Sequence, residues 1–170
     1  MNRILSKCAS RRGCASAVDD ELVIALNWML DFLVNGKPRA VLANENEPPV
    51  LVFTDGACEG DVFSIVACGG IIFHPSLRRP SFFGMHVPAD LVSRWKDTGL
   101  RQVIRQTKIY PVLVAKLTWS SILSGRKSLF FTDNDSAKEA LVTGYNPSLP
   151  SFELVAKNAA IDLEFRNLAW

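Results

Sequence analysis

Two apolar stretches that end on the same pair of residues constrain this chain more than any other feature. Residues 50–57 read VLVFTDGA and residues 128–135 read SLFFTDND. Each opens on the β-branched, leucine and aromatic residues of a strand held inside a sheet. Each then reaches Thr-Asp, which puts Asp55 and Asp133 where the apolar run stops. A charge at the end of a central strand is costly unless something binds it. Two such ends in one small domain imply a shared carboxylate site.

The rest of the chain sets the frame for that site. Its 170 residues suit one domain with some additional chain, and ten Phe within 48% hydrophobic content are enough to build a core. A net charge of +2 does not by itself mark a nucleic-acid binder. Cys8, Cys14, Cys58 and Cys68 form no CxxC pair, and His74 and His86 complete no zinc-ligand spacing. Cys58 and Cys68 therefore read as core thiols, and the two histidines receive no role. This cysteine usage suits a reducing, intracellular setting. No run approaches the roughly 20 apolar residues of a membrane span, so no membrane partner is expected.

Residues 1–18 carry Arg3, Lys7, Arg11 and Arg12 and no acid. They read as a flexible basic N-terminus, with a transit-type leader as the alternative. Residues 19–35 predict a connector helix, capped by Asp19 or Asp20 and closed by Asn35-Gly36. Its apolar residues, among them Val23, Leu26, Trp28, Leu30 and Phe32, point to nearly every side, so it requires partners on more than one face. Residues 36–49 are a linker, and 50–170 the main domain. There the first strand is followed by strands at 64–74 and 81–87, joined by short turns as an antiparallel meander. Gly69-Gly70 inside the second strand marks a bulge or a close backbone approach. Residues 90–99 read as a mixed connection around Trp95.

A long helix is expected over 100–124. Lys108, Val112, Ala115, Trp119 and Ile122 fall on one face, a core-facing stripe headed by a lysine. Pro111 either kinks this helix or lies in its first turn. After the fourth strand, Asn134 or Asp135 caps a short helix that Gly144 stops. Residues 146–150 are a loop, and 151–168 a final helix with Phe152, Val155, Ala159 and Leu163 on one face. The order β-β-β-α-β-α-α is a mixed-sheet α/β (α+β) fold: three antiparallel strands, then a parallel strand with flanking helices. A right-handed crossover lays the fourth strand parallel to the first, so Asp55 and Asp133 emerge on the same edge.

Adjacent carboxylates repel unless a cation or a proton lies between them. Oxygen ligands of this kind suit Mg²⁺ or Mn²⁺. Two such ions can align a water and a leaving oxygen on a phosphodiester. Between Arg78 and Lys108, seven basic residues (Arg78, Arg79, Arg94, Lys96, Arg101, Arg105, Lys108) face two acids (Asp90, Asp97). That strip is either a contact for a phosphate backbone or a solvated face.

The stretches VLVFTDGACEG (50–60), CGGIIF (68–73), RQVIRQTKIYPVLVAKLTW (101–119) and LFFTDNDSAKEALVTG (129–144) resemble the ribonuclease H-like family. The likeness is to the domain that follows the reverse transcriptase in retroelement polyproteins. The resemblance implies cleavage of RNA in RNA–DNA hybrids with two Mg²⁺ (or Mn²⁺) ions, and a polymerase part reached through the first helix. Asp55 matches the first family acid and Asp133 the third. Arg78, Arg79, Arg101, Arg105 and Lys108 become the candidate substrate contacts. Two departures stand out. Lys108 falls where the family's helix acid would be. The last strand is expected to be missing with its acid, since Asp162 and Glu164 lie on the final helix and do not fit that position. The lysine either pairs with Asp55 and Asp133 or snorkels past them to water. The expectation is an incomplete ribonuclease H-like domain with impaired or absent nuclease activity, possessing two of four metal ligands and binding few or no ions. The alternatives are a non-catalytic nucleic-acid-binding module and a protein-interaction module that uses the first helix.

Overall fold

The computed structural model describes residues 20–35, 48–59, 65–96 and 103–169. The chain divides into two compact units, Met1–Arg39 and Ala40–Trp170. In the first, helix α1 spans Asp20–Asn35, as the capping residues predict. Ile24, Leu30, Leu33 and Val34 on it are exposed. The basic N-terminus, the linker up to residue 47, Arg101 and the turn at residues 60–64 lie outside the described residues. Among the described residues no helix is long and apolar enough to cross a membrane.

The second unit is built on a mixed sheet. Its strands are β1 (Val50–Glu59), β2 (Ile65–Phe73), β3 (Ser81–His86), β4 (Lys127–Phe131) and β5 (Leu168–Ala169). They lie in the order β3-β2-β1-β4-β5. β1 pairs antiparallel with β2, and β2 with β3, while β4 runs parallel to β1. This is the expected meander followed by a crossover. The expectation of a missing last strand is corrected in part: a two-residue β5 pairs parallel with β4, matching Lys127 to Leu168 and Ser128 to Ala169.

The helices are α2 (Ala89–Lys96), α3 (Ile104–Thr118), α4 (Ser120–Leu123), α5 (Asp135–Thr143) and α6 (Leu149–Glu164). The segment read as a mixed connection is helix α2, whose Val92 and Trp95 are buried. Trp95 meets the Tyr110 ring edge-on at 5.7 Å. The long helix is broken at Trp119, which joins α3 to α4. Pro111 lies in the interior of α3 and not in its first turn. The lysine-headed stripe is present: Val112, Ala115 and Trp119 are buried, and Ala115 and Trp119 cluster with Val50, Val52 and Ile72 of the sheet. Asn134 caps α5, its Oδ1 accepting from Ala137 N at 2.8 Å, and Gly144 ends it in the left-handed region at φ 67°. Helix α6 begins earlier than expected, because Pro150 fits its first turn. Its buried face is Ser151, Leu154, Val155 and Asn158, so only Val155 of the expected stripe is fully covered.

Burial along β1 alternates. Val50, Val52, Thr54 and Gly56 are buried, while Phe53, Asp55 and Ala57 are exposed. The apolar run that reads as a strand held inside a sheet has one face on α3 and the other open among the described residues. The open face carries Phe53 stacked on Phe131 at 4.4 Å and Phe73 edge-on to Phe53 at 5.8 Å. Gly69-Gly70 forms no bulge, since the β1–β2 register runs unbroken through both. A Cβ on Gly70 would fall 2.8 Å from the Phe83 ring, so the close approach is the correct alternative. Phe83 in turn packs on Trp119.

Candidate functional site

Asp55 is not at the end of its strand. β1 continues to Glu59, and Asp55 pairs with Gly69 in mid-strand. What ends there is the neighbour. β4 pairs with β1 only as far as Phe53 and Phe131, and Asp133 follows two residues later. From Thr54 onward β1 has no β4 partner, which opens a gap at the sheet where a side chain from α3 can reach both acids.

Lys108 reaches them. Its Nζ lies 2.6 Å from Asp55 Oδ1, and 2.8 and 3.0 Å from the two oxygens of Asp133. The lysine side chain is only 12% exposed, whereas those of Asp55 and Asp133 are 70% and 68% exposed. Asp55 Oδ1 also accepts from Gly56 N at 2.7 Å, which fixes its rotamer. Burial alone pushes Lys108 toward the neutral amine. The hydrogen bonds to Asp133 and Asp55 and the charges of both acids outweigh this and hold its pKa above the ordinary 10.5. The ammonium is thus fixed as a cation between two carboxylates, and of the two sequence readings the paired lysine is the one found.

The backbone explains the placement. A Cβ on Gly56 would fall 2.1 Å from the main-chain oxygen of Thr107, so β1 and α3 touch backbone to backbone at this point. Pro111, four residues after Thr107, has no N–H, so that carbonyl lacks the usual helical donor and faces the strand. Asp55 precedes Gly56 and Lys108 follows Thr107, so this contact sets the two charges side by side. The Gly56–Thr107 contact escapes sequence reading, although a proline inside a helix four residues after the contacting position is its trace.

A groove of ≈ 610 Å³ opens beside the triad on the open sheet face, lined by Phe53, Asp55, Gly69, Ile71, Phe131 and Asp133. The donor set does not fit a divalent cation. Asp55 Oδ1 and both oxygens of Asp133 are engaged by an ammonium, and no group of three His, Cys, Asp or Glu among the described residues could hold a metal ion. Asp162, set aside as a family acid in sequence, is paired elsewhere, accepting from Lys116 at 2.6 Å.

The other candidate contacts are dispersed. Arg105 lies one turn before Lys108 on α3 and has Asn146 Oδ1 3.5 Å from its guanidinium. Arg78 and Arg79 lie in the β2–β3 turn, beside Leu51 and Phe73. Leu51 is four residues before Asp55, so this turn lies beside the N-terminal end of β1, about 13 Å along the strand from Asp55. His74, given no role in sequence, faces Arg126, whose Nη1 lies 2.7 Å from its Nε2. Cys68 is a buried core thiol with its pKa pushed up to about 11 by burial, and Cys58 Sγ sits 3.1 Å from Thr107 Oγ1. Compared with protein-family models and with curated proteins, the chain matches none.

Proposed function

We propose that this chain is a non-cleaving ribonuclease H-like domain, a nucleic-acid-associated fold in which Lys108 occupies the position of a bound cation. The carrying observation is the contact of Lys108 Nζ with both Asp55 and Asp133 at 2.6–3.0 Å. A site that gathers Mg²⁺ needs unclaimed carboxylate oxygens and space for a hydrated ion. Here a covalently tethered ammonium neutralises part of the acid charge and fills the space between the acids. It supplies charge balance, but it can neither bind a water as a Lewis acid nor activate it. The meander, the parallel fourth strand and the pairing of the two Thr-Asp segments support the ribonuclease H-like reading. An RNA–DNA hybrid is the ligand class this reading assigns.

The test is a cleavage assay on a labelled RNA–DNA hybrid with Mg²⁺ or Mn²⁺, with Asp55→Asn alongside. No cleavage above the Asp55→Asn background is expected. Metal-dependent cleavage that Asp55→Asn abolishes would overturn the reading.

A further inference from the structure

The end of the sheet away from the acids carries the opposite charge. Arg78 and Arg79 line a pocket of ≈ 360 Å³ with Phe73, His74 and Leu77. Both arginines are exposed. Arg126 joins from the segment before β4, its Nη1 2.7 Å and 3.2 Å from the two nitrogens of the His74 ring. The turn that presents these groups is held shut by Leu77 N donating to His74 O at 2.9 Å and by Ser76 N donating to His74 Nδ1 at 3.1 Å. Pro75 and Pro80 stiffen it further. Among the described residues no acid lines this pocket. Phe73 belongs both to the pocket and to the open aromatic face, where it meets Phe53, which stacks on Phe131. Phe73, Phe53 and Phe131 are 38%, 40% and 43% exposed.

Guanidinium groups beside exposed rings on a sheet suit a ligand that alternates phosphate with aromatic base. We propose that this face binds single-stranded nucleic acid, with phosphates on Arg78, Arg79 and Arg126 and bases stacked on Phe73 and on the rings beyond it. Charge fixes the polarity of the footprint. The strand is anchored at the β2–β3 turn, and the Asp55–Asp133 end, with only one ammonium for two carboxylates, repels its phosphates. The inference rests on the nucleic-acid part of the function proposed above and is independent of the metal part.

The test uses the full chain in EDTA with a fluorescein-labelled single-stranded RNA of about 12 nucleotides, read by anisotropy over a salt series. The wild type is expected to bind at low salt. Arg78→Ala with Arg79→Ala is expected to weaken binding about tenfold or more and to reduce the slope of log K against log salt by about 1.4, the value for two lost single-strand phosphate contacts. Phe73→Leu is expected to weaken binding about tenfold with the slope unchanged, because stacking carries no counterion release. Lys157→Ala, an exposed cation on α6, is the control and should bind as the wild type does. Unfolding curves confirm that the variants fold. Absence of binding by the wild type, wild-type affinity in both variants, or AMP binding as tightly as the strand would overturn the proposal. If an RNA–DNA duplex binds and the single strand does not, this face is wrongly assigned while the broader reading stands. If neither binds, both fail.

Discussion

Gly56 lies so close to the Thr107 carbonyl that a single added methyl group would stand 2.1 Å from its oxygen. Because Asp55 and Lys108 flank these two residues, the contact between strand and helix also sets the ion pair. Gly56→Ala cannot be relieved by a side-chain rotation, since the obstacle is backbone. The substitution is expected to cost about 3 kcal/mol or more. It should also move α3 outward and separate Lys108 from Asp55. Urea denaturation checks the first effect, and the Lys108 side-chain ammonium signal in NMR checks the second. A Gly56→Ala protein of unchanged stability would show that the backbones are not in contact.

Lys108→Glu converts an ammonium between two acids into a third carboxylate. Without divalent ions the variant is expected to be less stable than the wild type, because three like charges then crowd one gap. With Mg²⁺ or Mn²⁺ it should recover, by about 2.7 kcal/mol when the ion is present at a hundred times its dissociation constant. The wild type should show no such gain. Thermal unfolding with and without the ion measures both. Equal responses of the two proteins would mean that Lys108 does not exclude the cation.

The two Thr-Asp segments, the meander and the parallel crossover are legible in sequence because each follows from local pattern: alternation, turn residues and the length of the connection. The lysine stripe of α3 is legible for the same reason, since Val112, Ala115 and Trp119 recur at helical spacing. What sequence does not reveal is where elements stop relative to one another. Asp55 reads as a strand end because the apolar run ends there, yet β1 continues through Gly56 to Glu59, held by main-chain bonds to β2 that need no apolar side chain. Arg78 and Arg79 read as part of one basic strip with Lys108. They lie instead at the far end of the sheet, because a strand carries its two ends apart by over three ångströms per residue. The role of His74 depends on Arg126, 52 residues away, which local reading cannot supply.

The pH dependence of the triad has a definite sign. The folded pKa of Lys108 lies above its ordinary value of 10.5. A raised folded pKa stabilises the fold fully below the unfolded pKa, and that contribution is lost as pH rises through the folded value. The stability difference between the wild type and Lys108→Met is therefore expected to stay constant from neutral pH to about pH 10 and to shrink above 10.5. Urea denaturation across that range provides the curve. A difference that vanished near neutral pH would mean the ammonium is not held by the acids.

A second lysine on the same helix should behave differently, because its surroundings do. Lys116 donates to Asp162 at 2.6 Å, with side-chain exposures of 4% and 18%, and its ammonium lies 5.3 Å from the centre of the Phe130 ring. The main-chain oxygen of Asp162 also accepts from Asn167 N, at the turn into β5. Asp162→Asn leaves a buried ammonium with its principal counter-charge removed and is expected to cost about 3 kcal/mol. Asp55→Asn at the exposed triad is expected to cost about 1 kcal/mol or less, since water solvates the charges that remain. Lys116→Met, which removes the buried charge and keeps an apolar chain over Phe130, should cost less than Asp162→Asn. Urea unfolding of the three variants ranks them. If Asp55→Asn proved the most costly of the three, the exposed triad and not the buried pair would be holding α3 in place.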